Sequence, residues 1–260
     1  MQRDRPILLL SGGVAVALLY LPVLLVIIFS FNSASRGMVW ESFSLRWYRE
    51  VWSDESILTA VWNTSRVVAL SSLVSLIVGL ASGYCVALSK NRLFTALLSC
   101  LFVSVLAPDL IMAVAQALTY STFGIHKGVL TIAVSHSTFG VAYVALFVAI
   151  RMKSVDLDQY LTTAESLGAS PLRAARDHFL PLAAAPALAG TSIVAAMSAQ
   201  DFVYAFFCGG ASTTTLSVKI YGMVKFGINS SINVIYVALA LIVLLLFWTS
   251  ETFWKTPSRS

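Results

Sequence analysis

The stretch Asp158–Leu182, DQYLTTAESLGASPLRAARDHFLPL, decides how the rest of the chain is read. It carries both charge signs and is punctuated by Gly168, Pro171 and Pro181, in a chain that is 58% hydrophobic and only 11% charged. Leu157, Leu161, Ala164 and Leu167 recur at helical spacing and predict one apolar face. Gly168 suits a helix C-terminus, where a left-handed residue is needed. Ser170 can cap a second helix with Pro171 at its first position. Leu172, Ala175 and Phe179 give that helix its own stripe, and Leu180-Pro181 is expected to end it. Two short amphipathic helices with a sharp corner need something to cover them. Periodicity alone leaves two occupants open, a lipid surface and another protein.

Outward from this loop the chain is apolar. Its mean hydropathy is +0.84, and a soluble domain carries about 25% charged residues. A membrane span needs about 20 mostly apolar residues. Six runs meet that: 7–30, 64–88, 95–120, 128–150, 183–207 and 232–250. They are continuous rather than alternating, so helices are expected and a barrel is not. The expected fold class is all-α, a polytopic membrane protein of one domain over residues 1–260, with a cytoplasmic loop at 151–182. Of the 17 Lys and Arg, ten fall on one side: Arg3, Arg5, Lys90, Arg92, Arg151, Lys153, Arg173, Arg176, Lys255 and Arg259. Six fall on the other: Arg36, Arg46, Arg49, Lys127, Lys219 and Lys225, with Arg66 at a membrane edge. The positive-inside rule then puts both termini, and the loop, in the cytoplasm. The run Ile7–Phe31 is longer than the apolar core of a cleaved signal, so it is expected to be retained as a span.

Several chemistries lack their motifs. The net charge of +5 is scattered over short loops and does not form a nucleic-acid patch. Cys85, Cys100 and Cys208 show no metal spacing and are expected as free thiols. His126, His136 and His178 show none either, and His136 is expected to hydrogen-bond inside the bundle. The sequence holds no H-E-x-x-H, no G-x-S-x-G and no phosphate loop, so this chain is not itself an ATPase. Gly79 and Gly83 form a G-x-x-x-G pair, expected to serve general helix packing rather than a specific dimer. Asn63 and Asn229 head N-x-[ST] triplets that matter only in a glycosylating host.

The segment TTAESLGASPLRAARDHFLPL resembles the signature loop of binding-protein-dependent ABC importer permeases. That loop reads E-A-A, three residues, G, nine residues, I, one residue, L-P. Ala164, Gly168, Leu180 and Pro181 fall on it in register, and Ala169 follows the glycine as it often does there. Thr162 and Thr163 replace the usual Glu-Ala, and His178 replaces the isoleucine; Glu165 would supply the acidic contact instead. The resemblance implies a type I (MetI-like) permease fold of six spans in a bacterial inner membrane. It implies that the loop is a coupling helix docked on an ATPase. It also implies a second permease chain, two ATPase subunits carrying ATP and Mg, and an extracytoplasmic binding protein, with no cofactor on this chain. YLPVLLVIIFSFNS, FSLRWYREVW, APDLIMA and LSVKIYGMVKFGIN resemble the second permease of spermidine/putrescine importers.

Ionisable residues within spans are costly and mark pathways. Asp109 falls near the middle of the third run and Asp201 toward the outer end of the fifth. Each has a bland alternative: Asp109 as a partner to a kinked backbone, Asp201 as an edge residue reaching water. Two carboxylates would neutralise an amine-bearing substrate, and Phe202, Tyr204, Trp47 and Tyr48 offer rings for its cations. By the resemblance, Trp47, Asp109, Ser198 and Asp201 match positions that line the polyamine path. Gln200 is a departure where relatives often carry a second acid, which permits a less charged substrate. Three rival functions remain: an ABC importer of another solute, an ion-coupled secondary transporter, and an intramembrane enzyme, the last disfavoured because no nucleophile–base pair is apparent.

Overall fold

The computed structural model describes residues 5–35, 39–89, 96, 99–155, 157–211, 213–226 and 230–255. Arg3, Arg36, Lys90, Arg92 and Arg259, which entered the orientation argument, and Asn229 lie outside them. Among the described residues the regular elements are helices, with one isolated antiparallel bridge between Asn32 and Phe43. The chain forms two compact units, Met1–Leu58 with Lys219–Leu241, and Thr59–Val218 with Ile242–Ser260.

The first unit contains α1 (Arg5–Phe29), α2 (Arg46–Ser53) and the start of α3 (Glu55–Leu88). It also holds the chain from Lys219 onward in α11 (Leu216–Phe226) and the first part of α12 (Ser231–Lys255). Between α1 and α2 the chain folds around Asn32. Its Oδ1 accepts the Glu41 N–H at 3.0 Å and its Nδ2 donates to the Val39 carbonyl at 2.7 Å. Phe31 stacks between Phe43 and Tyr48, at centroid distances of 5.4 and 5.2 Å. The second predicted span starts nine residues early, at Glu55 rather than 64, because Asp54 caps α3 by accepting the Ser56 N–H at 2.8 Å. The Ser56 hydroxyl, foremost among its donors, holds the Asp54 carboxyl below its ordinary 3.8. Hydropathy misses this polar first turn.

The second unit is organised around α6 (Val129–Ser154). Its apolar stretch is 72% buried, against 33% for α3. Buried side chains do not drive association between apolar helices in lipid, so close approach through small residues must do so. A Cβ on Gly79 or Gly83 of α3 would lie 2.6 or 2.7 Å from the Cβ of Val144 or Val148 on α6. The G-x-x-x-G pair thus packs within the bundle. Val144, Val148 and Met152 meet Leu157, Phe179, Ala183 and Val194 in the core. Asn63 is buried and donates to the Thr214 carbonyl at 3.2 Å, which removes it as a glycan acceptor. Cys85, Cys100 and Cys208 are free.

The 151–182 loop forms α7 (Leu157–Ser166), α8 (Pro171–Ala174), a π-helical turn (Ala175–Phe179) and then α9 (Leu180–Gln200). Gly168 has φ +86°. Its N–H donates to the Glu165 carbonyl at 2.9 Å, and the Ala169 N–H reaches the Ala164 carbonyl at 3.0 Å. This is the paired closure that ends a helix on a left-handed residue. Ser170 caps α8 as expected, its hydroxyl accepting the Arg173 N–H at 3.4 Å. Three expectations are corrected. Leu180-Pro181 does not end a helix. The Leu180 N–H bonds five residues back to Ala175, and that wider turn carries the helix on through a proline that has no N–H to give. Leu167 and Leu172 are not on buried faces; they are 84% and 82% exposed. The helix expected over 95–120 is not continuous, as the site makes clear.

Candidate functional site

Both acids singled out in the sequence stand at places where a helix breaks. Proline lacks an N–H and disfavours helical geometry in the residue before it. Ala107 accordingly adopts φ −73°, ψ 145°. A short helical segment (Cys100–Phe102 and α4, Val103–Leu106) ends there, and α5 (Asp109–Thr122) leaves at 117° to it. Asp109 therefore lies in the first turn of a new helix rather than mid-span. The positive end of the helix dipole favours a carboxylate in that position. The fifth predicted span, 183–207, is likewise interrupted. α9 ends at Gln200, Asp201 is extended at ψ 132°, and α10 (Val203–Cys208) follows. Irregular backbone at membrane depth is tolerated where it is buried or lines a cavity.

Residues from both breaks line one cavity of about 270 Å³. Asp109 comes from the first break, and Gln200, Asp201, Phe202 and Tyr204 from the second. Phe139 and Tyr143 of α6, Met197 of α9, and Ser104 and Val105 complete the wall. Among the described residues the lining thus holds two carboxylates, four aromatic rings and no lysine or arginine. The Tyr204 hydroxyl is buried without a hydrogen-bond partner. An unpaired buried hydroxyl costs about 1–3 kcal/mol, which a ligand group at this wall would offset.

The Asp201 carboxylate is held from two directions. Its Oδ2 accepts the Ala205 N–H at 3.0 Å and meets His136 Nε2 at 3.0 Å. His136 Nδ1 lies 2.6 Å from the Ser198 hydroxyl, which lies 3.1 Å from that of Ser71 on α3. Sequence reading had His136 bonding within the bundle, and it does; its partner, 65 residues away, was not foreseen. One local signal existed, since His136, Phe139 and Tyr143 share a helical face. Serine, histidine and aspartate in this order also form the hydrogen-bond sequence of a hydrolase triad. The structure corrects the view that no such set exists. Yet Ser198 is 3% exposed and Ser71 fully buried, so no substrate carbonyl can reach that hydroxyl.

Of the residues expected on the path, Asp109, Gln200, Asp201 and Tyr204 share the cavity, while Ser198 and Trp47 are not among its lining. The Trp47 indole is buried, donates to the Asn32 carbonyl at 2.9 Å, and carries the Arg46 guanidinium 4.9 Å from its ring centre. A cation already occupies its neighbourhood. In the loop, Thr162, Glu165 and Leu180 are exposed, and Ala164 is buried beneath the corner. Thr163, Ala164, Leu167 and His178, with Gln159 and Tyr160, line a second hollow of about 300 Å³.

A helical bundle with broken helices meeting at an acidic cavity, and a capped loop with bare leucines, is the architecture of a transport subunit. The family model described as binding-protein-dependent transport system inner membrane component matches residues 75–253, and the chain belongs to that family. It is a membrane permease subunit of a binding-protein-dependent importer, not an enzyme. The spermidine/putrescine transport system permease protein PotC of Escherichia coli (strain K12) is 30% identical over 254 residues, 96% of each chain. The putrescine transport system permease protein PotI of the same strain is 30% identical over 247 residues, 92% of this chain and 85% of that one. In solved structures, a chain of a bacterial ABC transporter involved in the import of the acidic polysaccharide alginate superposes with TM-score 0.74. It is 14% identical, over 97% of this chain and 98% of that one.

Proposed function

We propose that the chain conducts a polyamine cation, of the spermidine or putrescine kind, into the cytoplasm through the Asp109–Asp201 cavity. The observation that carries this is the lining itself: two carboxylates and four rings, with no lysine or arginine among the described residues. An ammonium group leaving water needs an opposite charge, and ring faces attract it further. The names of the PotC and PotI relatives support the same substrate class. The fold alone does not choose it, since the alginate importer has a similar one.

In this reading the chain crosses the membrane six times with both termini cytoplasmic. Three helices are long and apolar enough to cross, and the bent pair Cys100–Leu106 and Asp109–Thr122 makes a fourth. α1 and α12, whose apolar parts Val16–Phe29 and Ser231–Leu245 are shorter, supply the other two. Family membership supports a partner permease, a pair of ATPase subunits that bind ATP and Mg, and an extracytoplasmic binding protein. The 151–182 loop docks on the ATPase through the exposed Leu167 and Leu172 and the hollow beside His178, with Thr162, Glu165, Gly168, Ala169, Leu180 and Pro181 shaping that end. Nucleotide-driven closure of the ATPase pair then exposes the cavity to each side in turn.

The test is uptake of radiolabelled spermidine by the reconstituted complex carrying Asp109→Asn or Asp201→Asn. Removing one charge-assisted contact costs about 1.5–3 kcal/mol, so apparent affinity should fall about ten- to a hundredfold. Undiminished uptake by both variants sinks the cation path.

A further inference from the structure

We infer that His136 is a positioning residue for Asp201, and that Ser198 and Ser71 act on transport through it rather than by touching the substrate. The inference rests on the reading of Asp201 as the cation's partner. Asp201 follows the end of α9, and neither the extended backbone there nor the cavity fixes where its carboxylate points. Two groups do: the Ala205 N–H and His136 Nε2, both on Oδ2 at 3.0 Å. That leaves Oδ1 outside these two bonds, on a residue that lines the cavity.

His136 is well suited to hold an anion still. It sits on the most buried of the three long apolar helices among the described residues and is 1% exposed. Phe139 lies 5.5 Å from its ring, and Tyr204 stands edge-on at 5.8 Å and 90°. Its far nitrogen is engaged by Ser198 at 2.6 Å. An imidazole bonded at one nitrogen has its tautomer and ring direction set for the other. When Nε2–H donates to Asp201 and Ser198 donates to Nδ1, Ser198 can only accept from Ser71, whose one hydroxyl proton is shared between Ser198 at 3.1 Å and the Val68 carbonyl at 3.2 Å. The four groups then form one directed chain from α3 through α9 and α6 to the break before α10. Ser198 is 3% exposed and absent from the lining, so its hydroxyl bears on Asp201 through His136.

The experiment is spermidine uptake and ATP hydrolysis by the reconstituted four-component complex, with assembly measured by size-exclusion chromatography. The variants are His136→Leu, His136→Gln and Ser198→Ala, each alone and combined with Asp201→Asn. Gln places an amide N–H near the position of Nε2; Leu has no donor. The expected result is a KM for spermidine raised about tenfold by His136→Leu, with maximal hydrolysis little changed. Most of the loss should be restored in His136→Gln, with a smaller shift of the same kind in Ser198→Ala. In the Asp201→Asn background none of the three should cost anything further, because the carboxylate they orient is gone. A merely structural role predicts equal losses in both backgrounds, and that additivity overturns the inference, as does an unchanged KM in all three variants. If His136→Leu fails to assemble, the Ser198→Ala pair of measurements decides by the same criterion. Unimpaired uptake by Asp201→Asn alone removes Asp201 as the cation's partner, and with Asp109→Asn also unimpaired the cation path falls, whereas an impaired Asp201→Asn with additive His136 variants removes only this inference.

Discussion

Gly168 allows a perturbation whose size follows from local geometry alone. At φ +86° it occupies the left-handed region, and a Cβ built there has no heavy atom within 4 Å. A substitution therefore meets no wall, and backbone strain is the whole effect. For alanine that strain is about 1–2 kcal/mol, or about a five- to thirtyfold shift away from the corner geometry. Asparagine visits this region more readily, and a β-branched valine is the least suited. The bonds at stake are Gly168 N–H to Glu165 and Ala169 N–H to Ala164, which fix the direction of α8 relative to α7. Substrate-stimulated ATP hydrolysis by the reconstituted complex should fall in the order Gly, Asn, Ala, Val, while membrane insertion is unaffected. Stimulation by Gly168→Val equal to wild type would remove the corner from coupling. Asparagine as poor as valine would show that side-chain bulk, not backbone strain, is what the site refuses.

Other outcomes follow from packing and topology. Gly83→Ala places a Cβ 2.7 Å from that of Val148 and should destabilise the purified complex by about 1–3 kcal/mol, seen as a lower unfolding temperature in detergent. Gly13→Ala, inside α1 with nothing within 4 Å, is the control and should not lower it. With the native cysteines replaced, Ser53→Cys should react with an impermeant thiol reagent from outside intact cells. Ser170→Cys should react only once the membrane is opened, and the reverse pattern would overturn the proposed orientation.

The parts of the fold legible in the sequence were those set by local chemistry. Gly168 announced its left-handed corner and Ser170-Pro171 the start of α8, because each feature is decided within four residues. What stayed hidden has two physical causes. An apolar stripe does not say whether its own chain or another molecule covers it, so Leu167 and Leu172 fitted a stripe by spacing yet face outward. Long-range partners leave no periodic trace, so Asp201 was found by its charge but His136 was not joined to it. The break at Ala107–Pro108 lay between the two cases. Pro108 was visible, but the apolar run on both sides read as one span, and hydropathy does not register a 117° change of axis.

The π-helical turn at Ala175–Phe179 has a consequence for motion. Ala174 and Phe179, five residues apart, are both buried, whereas Leu172, seven residues before Phe179, is exposed. In an unbroken α-helix each residue advances about 100°, so positions seven apart nearly coincide and positions five apart do not. Helix geometry thus allows this sequence a second register, the plain α-helix, beside the one seen here. With the wide turn, Ala174 faces in and Leu172 out; straightened, the end of the helix spins by about 100° and Leu172 swings toward the Phe179 side. A partner gripping that end would drive a rotation about the helix axis, transmitted along α9 to the break at Asp201. Deleting Ala175 keeps Ala174 and Phe179 on one face in a plain α-helix and abolishes the second register. ATPase subunits should still bind this variant, but substrate should no longer stimulate hydrolysis; full stimulation would mean that the joint does not turn.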